Sequence, residues 1–163
     1  MAFIDIDSEN PGGPTFYNVV SAIGLGCPNM EEDVKVVQFF LQRFFSIPQF
    51  KNEKPWGTMT VDGKVGPITR AWILRSQMLM REGGVNVLVH GVVDKAGNVA
   101  AAGNRVSTIS HTDYAIRMLN NALRKEDTQV YKTLTTNPVV PADVRMIFMQ
   151  IQAQGPPMNF GNN

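Results

Sequence analysis

Three side chains carry the chemistry most often used for metal binding or nucleophilic attack: Cys27, His90 and His111. They lie far apart in the sequence, and no His-Glu-x-x-His motif or cysteine pair accompanies them. A structural zinc site needs four ligands, which usually come in closely spaced pairs. We therefore expect no metal site, no cofactor and no enzyme activity, and we interpret Cys27 as a small buried hydrophobe rather than a nucleophile.

Recognition by an exposed aromatic ring is a second kind of chemistry in this sequence. Trp56 stands in a loop rich in proline and glycine, with two lysines beside it. Such a ring could stack on a sugar or anchor a protein partner, and the alternative is that it folds down over the neighbouring helices. Lys64 and Arg70 flank the Asp62-Gly63 turn that follows, so Trp56, Lys64 and Arg70 are the candidate ligand contacts.

The composition excludes several classes of protein. The 163 residues are 44% hydrophobic and 18% charged, which is enough apolar material for a folded core. The net charge is +1 and no block of Lys or Arg occurs, so a nucleic-acid partner is not expected. No apolar run approaches the roughly 18 residues that cross a bilayer, so no membrane insertion is expected.

The first 34 residues carry acidic side chains and no Lys or Arg, the opposite of a secretory signal. We therefore expect synthesis in the cytoplasm without a signal peptide. Action at a cell wall is then expected if another machine delivers or releases the protein.

Hydrophobic periodicity predicts a mainly helical fold, and its clearest element is a helix that begins after Asn29, the expected N-cap. Further phenylalanines widen its apolar stripe, so we expect this helix to be buried on more than one side. The stripe itself consists of Val34, Val37, Leu41 and Phe44.

The segments around this helix have less regular patterns. Residues 1–14 end in a Pro/Gly cluster and are expected to form an N-terminal arm, and residues 15–24 are predicted to form a short helix. A second long helix is predicted from Pro67, whose missing N–H suits a helix start, to about Arg81.

The second half is predicted to contain a small β element and a helical extension. Valines alternate with other residues from position 85, which indicates a small hairpin or an extended strand with a turn. We expect a β-hairpin and helical extension over 85–154, packed on the first half, and a tail over 155–163. The predicted helices of the extension span about 112–125, 127–135 and 141–152.

The chain contains nine methionines, several of them on predicted helices. Methionine more often fills an irregular core than forms an adaptable binding face. We therefore expect Met78, Met80, Met146 and Met149 to fill the core.

The most specific motif runs from Asp33 to Gln77. It resembles the peptidoglycan-binding domain, a small three-helix module found beside many bacterial cell-wall hydrolases, and the resemblance covers about residues 15–82. The family pattern is D-V-x-x-L-Q-x-x-L followed by D-G-x-F-G-P-x-T-x-x-A-V-x-x-F-Q. In this chain the matching residues are Asp33-Val34, Val37-Gln38 and Leu41, then Asp62-Gly63-x-x-Gly66-Pro67-x-Thr69, and finally Ile73 and Gln77.

We interpret most of this motif as structural. Gly63 is expected to adopt a positive φ, and Gly66 to adopt a special conformation that allows close backbone approach. Thr69 is expected in the first turn of the second helix. Gln38 and Gln77 are expected to hydrogen-bond backbone across the helix pair. The full set of motif residues is Asp33, Gln38, Asp62, Gly63, Gly66, Thr69 and Gln77.

The chain also departs from the family pattern. Trp72 stands at a position that is a small Ala in the family, and Ser76 at a Phe position. The loop over 46–61 is longer than the usual link. These differences predict a repacked interface between the two helices.

The resemblance implies a peptidoglycan-binding domain over 15–84, as part of a mainly α bundle with a small β element and a helical C-terminal extension. The function it implies is non-catalytic binding of bacterial cell-wall peptidoglycan. The alternative is an adaptor or structural interaction protein of a phage tail, contractile injection machine or secretion machine. The expected partner is peptidoglycan, or a protein of such an assembly.

Overall fold

The computed structural model describes residues 1–6, 15–97 and 112–155, and its regular elements are mainly helical. Strands β1 (Phe3–Ile6) and β2 (Thr15–Asn18) pair antiparallel as a small sheet. The predicted mainly α class is confirmed, and a small sheet is present, but β1 and β2 form it and not the segment from residue 85 where it was expected. The described helices are α1 (Glu31–Phe44), α2 (Pro67–Glu82), α3 (Ala115–Glu126), α4 (Thr128–Lys132) and α5 (Ala142–Gln154).

Helix α1 lies at the centre of the fold, and α2, α3 and α5 all pack against it. Nine of its 14 residues are buried, so the prediction of a helix buried on more than one side is confirmed. The prediction that Asn29 caps α1 is wrong. Met30 occupies the cap position, and the Asn29 side chain instead hydrogen-bonds the backbone N–H and C=O of Gly24, at 2.8 and 2.9 Å.

The N-terminal residues differ most from expectation. Residues 3–6 of the expected arm form β1, and the predicted helix over 15–24 is wrong because residues 15–18 form β2. Phe16, Tyr17, Asn18 and Val19 are all buried, so both faces of this segment are covered. A strand covered on both faces has no alternation of polar and apolar residues, which is why its spacing was compatible with a helix.

The described part of the predicted hairpin, residues 85–97, pairs with other segments. Val93 forms an isolated bridge with Ile23, and Val87 forms one with Asp113. The other part of that prediction, over 98–111, lies outside the described residues, as do residues 7–14 and all but the first residue of the expected tail. The three helices predicted after it correspond to α3, α4 and α5.

One aromatic cluster joins the two ends of the chain. The ring centroids of Phe39 and Phe40 in α1 lie 6.3 and 5.9 Å from that of Phe148 in α5. The Tyr17 ring of β2 lies 4.9 Å from Phe148, and the Gln152 amide donates to the Tyr17 hydroxyl at 3.1 Å. The C-terminal helices therefore share one hydrophobic core with α1. Within the described ranges, no helix has both the length and the apolar character that a membrane crossing requires.

Candidate functional site

The Asp62-Gly63 turn is held to α1 by one buried side chain, Gln38. The Gln38 amide oxygen accepts hydrogen bonds from the backbone N–H groups of Asp62 and Gly63, at 3.0 and 2.9 Å. Its amide nitrogen lies 2.9 Å from the Asp62 carboxylate, 3.0 Å from the carbonyl of Lys64 and 3.2 Å from the hydroxyl of Thr69. A buried amide therefore fixes both the path of the turn and the position of the helix that follows it.

The same network sets the charge of the turn. The hydrogen bond from Gln38, together with one from the backbone N–H of Lys64, holds the pKa of the Asp62 carboxyl below its usual range. Both hydrogen bonds favour the ionised carboxylate. At neutral pH the turn therefore presents a fixed negative charge next to the positive charge of Lys64.

The two glycines of the motif are not equivalent. Gly63 has a φ of +75°, and a Cβ added there would lie 2.5 Å from Cγ of Glu31. The expectation of a positive φ at Gly63 is confirmed. Gly66 has a φ of −99°, and a Cβ there would meet nothing within 4 Å. The expectation of a special conformation at Gly66 is wrong, because this residue is in extended backbone that any residue adopts.

Two further motif residues also bind backbone. Asp33 is fully buried, and its carboxylate accepts from the N–H of Val20 at 2.8 Å and lies 3.6 Å from the amino group of Met1. Thr69 lies in the first turn of α2, as predicted, and its hydroxyl is 3.3 Å from the carbonyl of Lys64. Both side chains tie a helix start to a neighbouring loop.

Gln77 holds a second loop, this time to α2. Its amide oxygen accepts from the N–H groups of His90 and Gly91, at 3.2 and 2.9 Å, and its amide nitrogen donates to the carbonyl of Val92 at 2.7 Å. Gln38 and Gln77 do hydrogen-bond backbone, but the backbone belongs to a loop and not to the other helix as expected. Gln38 reaches α2 only through the side chain of Thr69.

A cleft of about 150 Å³ opens beside the Asp62-Gly63 turn. Its polar lining combines three hydroxyl groups with one carboxylate and one ammonium group, and its other walls are apolar. Of the three candidate contacts, Lys64 lines this cleft, whereas Trp56 and Arg70 do not. The polar lining residues are Thr58, Thr60, Asp62, Lys64 and Thr69.

Trp56 and Arg70 lie near the cleft but outside it. The Trp56 side chain is 65% exposed, so it does not fold into the core. Its neighbour Gly57 packs on Ile68, which does line the cleft. Arg70 begins the second turn of α2, and among the described residues its side chain makes no hydrogen bond or ion pair. Both groups are therefore available to a ligand.

Trp72 and Ser76, the two departures from the family pattern, are both buried residues of α2. The Trp72 ring packs edge-on against Phe45, with centroids 5.0 Å apart. The Ser76 hydroxyl donates to the carbonyl of Ile73 at 2.7 Å and is buried. The large side chain at position 72 is therefore accommodated against Phe45, the residue that follows α1.

A larger cleft of about 400 Å³ lies beside the loop held by Gln77. His90 Nε2 is 3.0 Å from the Asp94 carboxylate on one wall, and the start of α3 forms the other wall. This cleft was not predicted, because its walls come from separate segments of the chain and carry no motif. The residues lining it include Gln77, His90, Asp94, Lys95, Asp113 and Tyr114.

Cys27 does not have the surroundings of a nucleophile. Burial, and then the nearby charge of Asp94, raise the pKa of the Cys27 thiol, which is therefore protonated at neutral pH. The expectation that Cys27 is buried is only partly met, because the side chain is of intermediate exposure. Among the described residues no three His, Cys, Asp or Glu side chains are grouped so as to hold a metal ion. His111 lies outside the described residues.

The methionines divide into two groups. Met80 is 6% exposed and belongs to the core, as expected. Met78, Met146 and Met149 are 40%, 60% and 49% exposed, so the expectation that they fill the core is wrong. Their helices each have a second apolar stripe that faces away from the core.

No protein-family model matches the chain, and neither a curated protein nor a solved structure shows significant similarity to it.

Proposed function

We propose that the protein binds bacterial cell-wall peptidoglycan and does not cleave it. The observation that carries this proposal is the cleft at the Asp62-Gly63 turn, where hydroxyl, carboxylate and ammonium groups line one small surface. Peptidoglycan offers hydroxyl groups, N-acetyl amides and stem-peptide carboxylates, which are partners for these groups. The resemblance of the surrounding motif to peptidoglycan-binding domains favours the same ligand.

In this proposal each exposed group has one role. Lys64 pairs with a carboxylate of the stem peptide. Arg70, the fourth residue of α2, supplies a second positive charge. Trp56 lies against the apolar face of a sugar ring. Gln38 contacts no ligand and holds the turn in the conformation that presents Lys64.

The test is co-sedimentation with purified sacculi. We expect the protein to pellet with sacculi and to release no soluble muropeptides. We expect Lys64→Gln to weaken binding several-fold, whereas the matched control Lys132→Gln, an exposed lysine on α4, leaves binding unchanged. Sedimentation no greater than that of an unrelated globular protein would overturn the binding proposal. Release of fragments would overturn its non-catalytic part.

A second candidate function is that of an adaptor in a larger protein assembly, such as a phage tail or an injection or secretion machine. The specific observation in its favour is the outward apolar stripes of α2 and α5, which expose Leu74, Met78, Met146 and Met149. Apolar residues grouped on an exposed helix face are typical of protein–protein contacts. Sedimentation velocity of the protein over a range of concentrations tests this candidate through the self-assembly that such stripes predict.

A further inference from the structure

Helix α2 is apolar on the side opposite its core face. Pro67, Ala71, Leu74 and Met78 follow one another at spacings of four, three and four residues, the spacing of a seam between two packed helices. The buried residues of α2, such as Ile73 and Met80, lie on the other side and face the core. We name the seam and its charged edges the α2 face.

Helix α5 has the same arrangement. Ala142, Met146, Met149 and Ala153 repeat the spacing of four, three and four residues, and all four are exposed. The buried residues Val144, Ile147, Phe148 and Ile151 lie on the opposite side. A helix with apolar residues on two opposite sides is normally covered by other protein on both of those sides. We name this second seam and its edges the α5 face.

The α2 face has a basic border. Arg75 is paired with both Glu53 and Glu82, so this edge of the α2 face carries one carboxylate in excess. Arg70 and Arg81 are not compensated, because their side chains have no hydrogen-bond or ion-pair partner in the part of the chain that the structure describes. Two unpaired arginines therefore flank the apolar seam.

The α5 face has an acidic border. A groove of about 280 Å³ separates α5 from the first turn of α1, and Glu31, Glu32 and Asp143 line it beside Met146. Lys35 lies 3.0 Å from Glu31 and 3.2 Å from Asp143.

The remaining charges near the α5 face do not remove this acidic character. The amino group of Met1 is 3.9 Å from Glu32 and 3.6 Å from the buried carboxylate of Asp33, which balances its charge. Arg145, which is only part-buried and lies on the other edge of α5, donates to the carbonyl of Asn137 at 3.2 Å. The edge that faces the groove therefore keeps three carboxylates around one lysine.

We infer that the α2 face of one copy of this chain packs against the α5 face of a second copy. The pairing joins two apolar seams of the same spacing and brings the unpaired arginines to the acidic border. The α2 face carries three arginines and two glutamates and is net positive, whereas the α5 face carries three carboxylates with Lys35 and Arg145 and is net negative, so two copies of the same face repel each other. Charge therefore favours the unlike pairing.

The unlike pairing has a consequence for assembly. Each copy in a pair keeps one unused α2 face or α5 face, so further copies can add head to tail until a ring closes or a filament grows. This inference develops the adaptor candidate. Pro67 of the α2 face lines the cleft and Arg70 is also a proposed ligand contact, so assembly is tested at Leu74 and Met146, which lie outside the cleft lining.

The test is sedimentation velocity on two single variants, alone and mixed. Leu74→Glu places a carboxylate in the α2 face, and Met146→Arg places a cation in the α5 face. We expect the wild-type protein to assemble as its concentration rises, and each variant alone to need at least about tenfold higher concentration. The equimolar mixture should form a heterodimer at concentrations where each variant alone is monomeric, because Leu74→Glu keeps an α5 face and Met146→Arg keeps an α2 face.

The controls separate assembly from folding and from ligand binding. Both substituted positions are exposed, so both variants should keep the wild-type circular dichroism and melting temperature. Lys132→Glu, a charge change on α4 away from both faces, should assemble like the wild type. Both variants should still sediment with sacculi if the peptidoglycan proposal holds, so the two proposals can fail separately.

Several results would overturn the inference. Wild-type protein that stays monomeric at all concentrations would do so, as would a mixture that forms no heterodimer. An assembly that Leu74→Glu abolishes and Met146→Arg leaves intact would mean that two α2 faces pair with each other. Binding of monomers to vesicles containing phosphatidylserine, without assembly, would mean that the basic α2 face meets a lipid surface instead.

Discussion

Gln38 and Gln77 are both buried and both hold a loop through a side-chain amide, yet the two loops differ in how tightly they are enclosed. Gln38 bonds to the Asp62 carboxylate and the Thr69 hydroxyl as well as to backbone. Gln77 bonds to backbone alone. The first loop is tied into a charged network against α1, whereas the second borders the larger cleft.

The glycines in the two loops show the same difference. Gly63 and Gly91 share a φ of +75°. A Cβ at Gly63 would collide with Glu31, whereas a Cβ at Gly91 would meet nothing within 4 Å. Two turns with equal backbone angles are therefore not equally sensitive to substitution. The space around the turn decides how much a side chain disturbs it.

The largest expected difference in stability is between variants of the two glutamines. Gln38→Leu leaves the buried N–H of Gly63 and several other groups without a partner, so we expect it to lower the free energy of unfolding by about 3–4 kcal/mol. We expect about 2 kcal/mol for Gln77→Leu, whose partners lie beside an open cleft. Urea denaturation of both variants measures the difference. Equal losses would mean that the two loops are equally enclosed.

The next largest difference in stability is expected between alanine variants of the glycines. Gly63→Ala combines a left-handed conformation with a collision against Glu31, so we expect a loss of about 2–3 kcal/mol. Gly91→Ala adds a side chain to a left-handed conformation without a collision, so we expect it to lower the free energy of unfolding by about 1 kcal/mol. Gly66→Ala is the matched control within the motif and should change stability by less than about 0.5 kcal/mol. A loss at Gly66 as large as that at Gly63 would contradict the difference between them.

A smaller effect concerns pH and the carboxylate of Asp62, which is hydrogen-bonded to Gln38. Because the folded pKa of Asp62 is lowered, its contribution to stability is present above the unfolded pKa of about 3.9 and is lost as the pH falls through the folded value. Gln38→Leu removes the main cause of this shift. We expect NMR titration to give a higher Asp62 pKa in the variant. The stability gap between wild type and variant should narrow below about pH 4. An unchanged Asp62 pKa would mean that Gln38 does not set it.

The smallest effect on stability is expected at Trp56. Its ring is exposed, so Trp56→Ala should change the free energy of unfolding by less than about 0.5 kcal/mol while weakening sedimentation with sacculi several-fold. Leu88→Ala, an exposed residue that lines the cleft on the Gln77 side, is the matched control and should leave binding unchanged. If Leu88→Ala alone weakens binding, the ligand site lies beside the Gln77 loop.

Local patterns in the sequence were sufficient to predict some of this structure. The apolar stripe of α1, the start of α2 at Pro67 and the positive φ of Gly63 all depend on residues close together in the chain. The strand at 15–18 was predicted to be helical because its coverage comes from distant elements. The exposure of Met146 could not be predicted either, since apolar residues on two sides of a helix do not show which side faces the core.

The candidate site was also predictable only where it depends on residues close together in the chain. The turn and its glutamine follow from one motif, and Lys64 lies beside them in the cleft. The loop bound by Gln77 was not predicted, because a buried amide gives no sign in the sequence of which backbone groups it will meet. The His90 and Asp94 cleft was missed because α3, which closes it, lies far along the chain.

The contact between Tyr17 and Phe148 has a consequence for synthesis of the protein on the ribosome. The hydrogen bond from Gln152 to Tyr17 spans 135 residues, so β2 lacks part of its final cover until α5 has been translated. Until then the rings of β2 and α1 remain open to contact with other nascent chains and with chaperones. Completion of the core is therefore a late and non-local step, in which the last described helix closes over residues that were translated among the first.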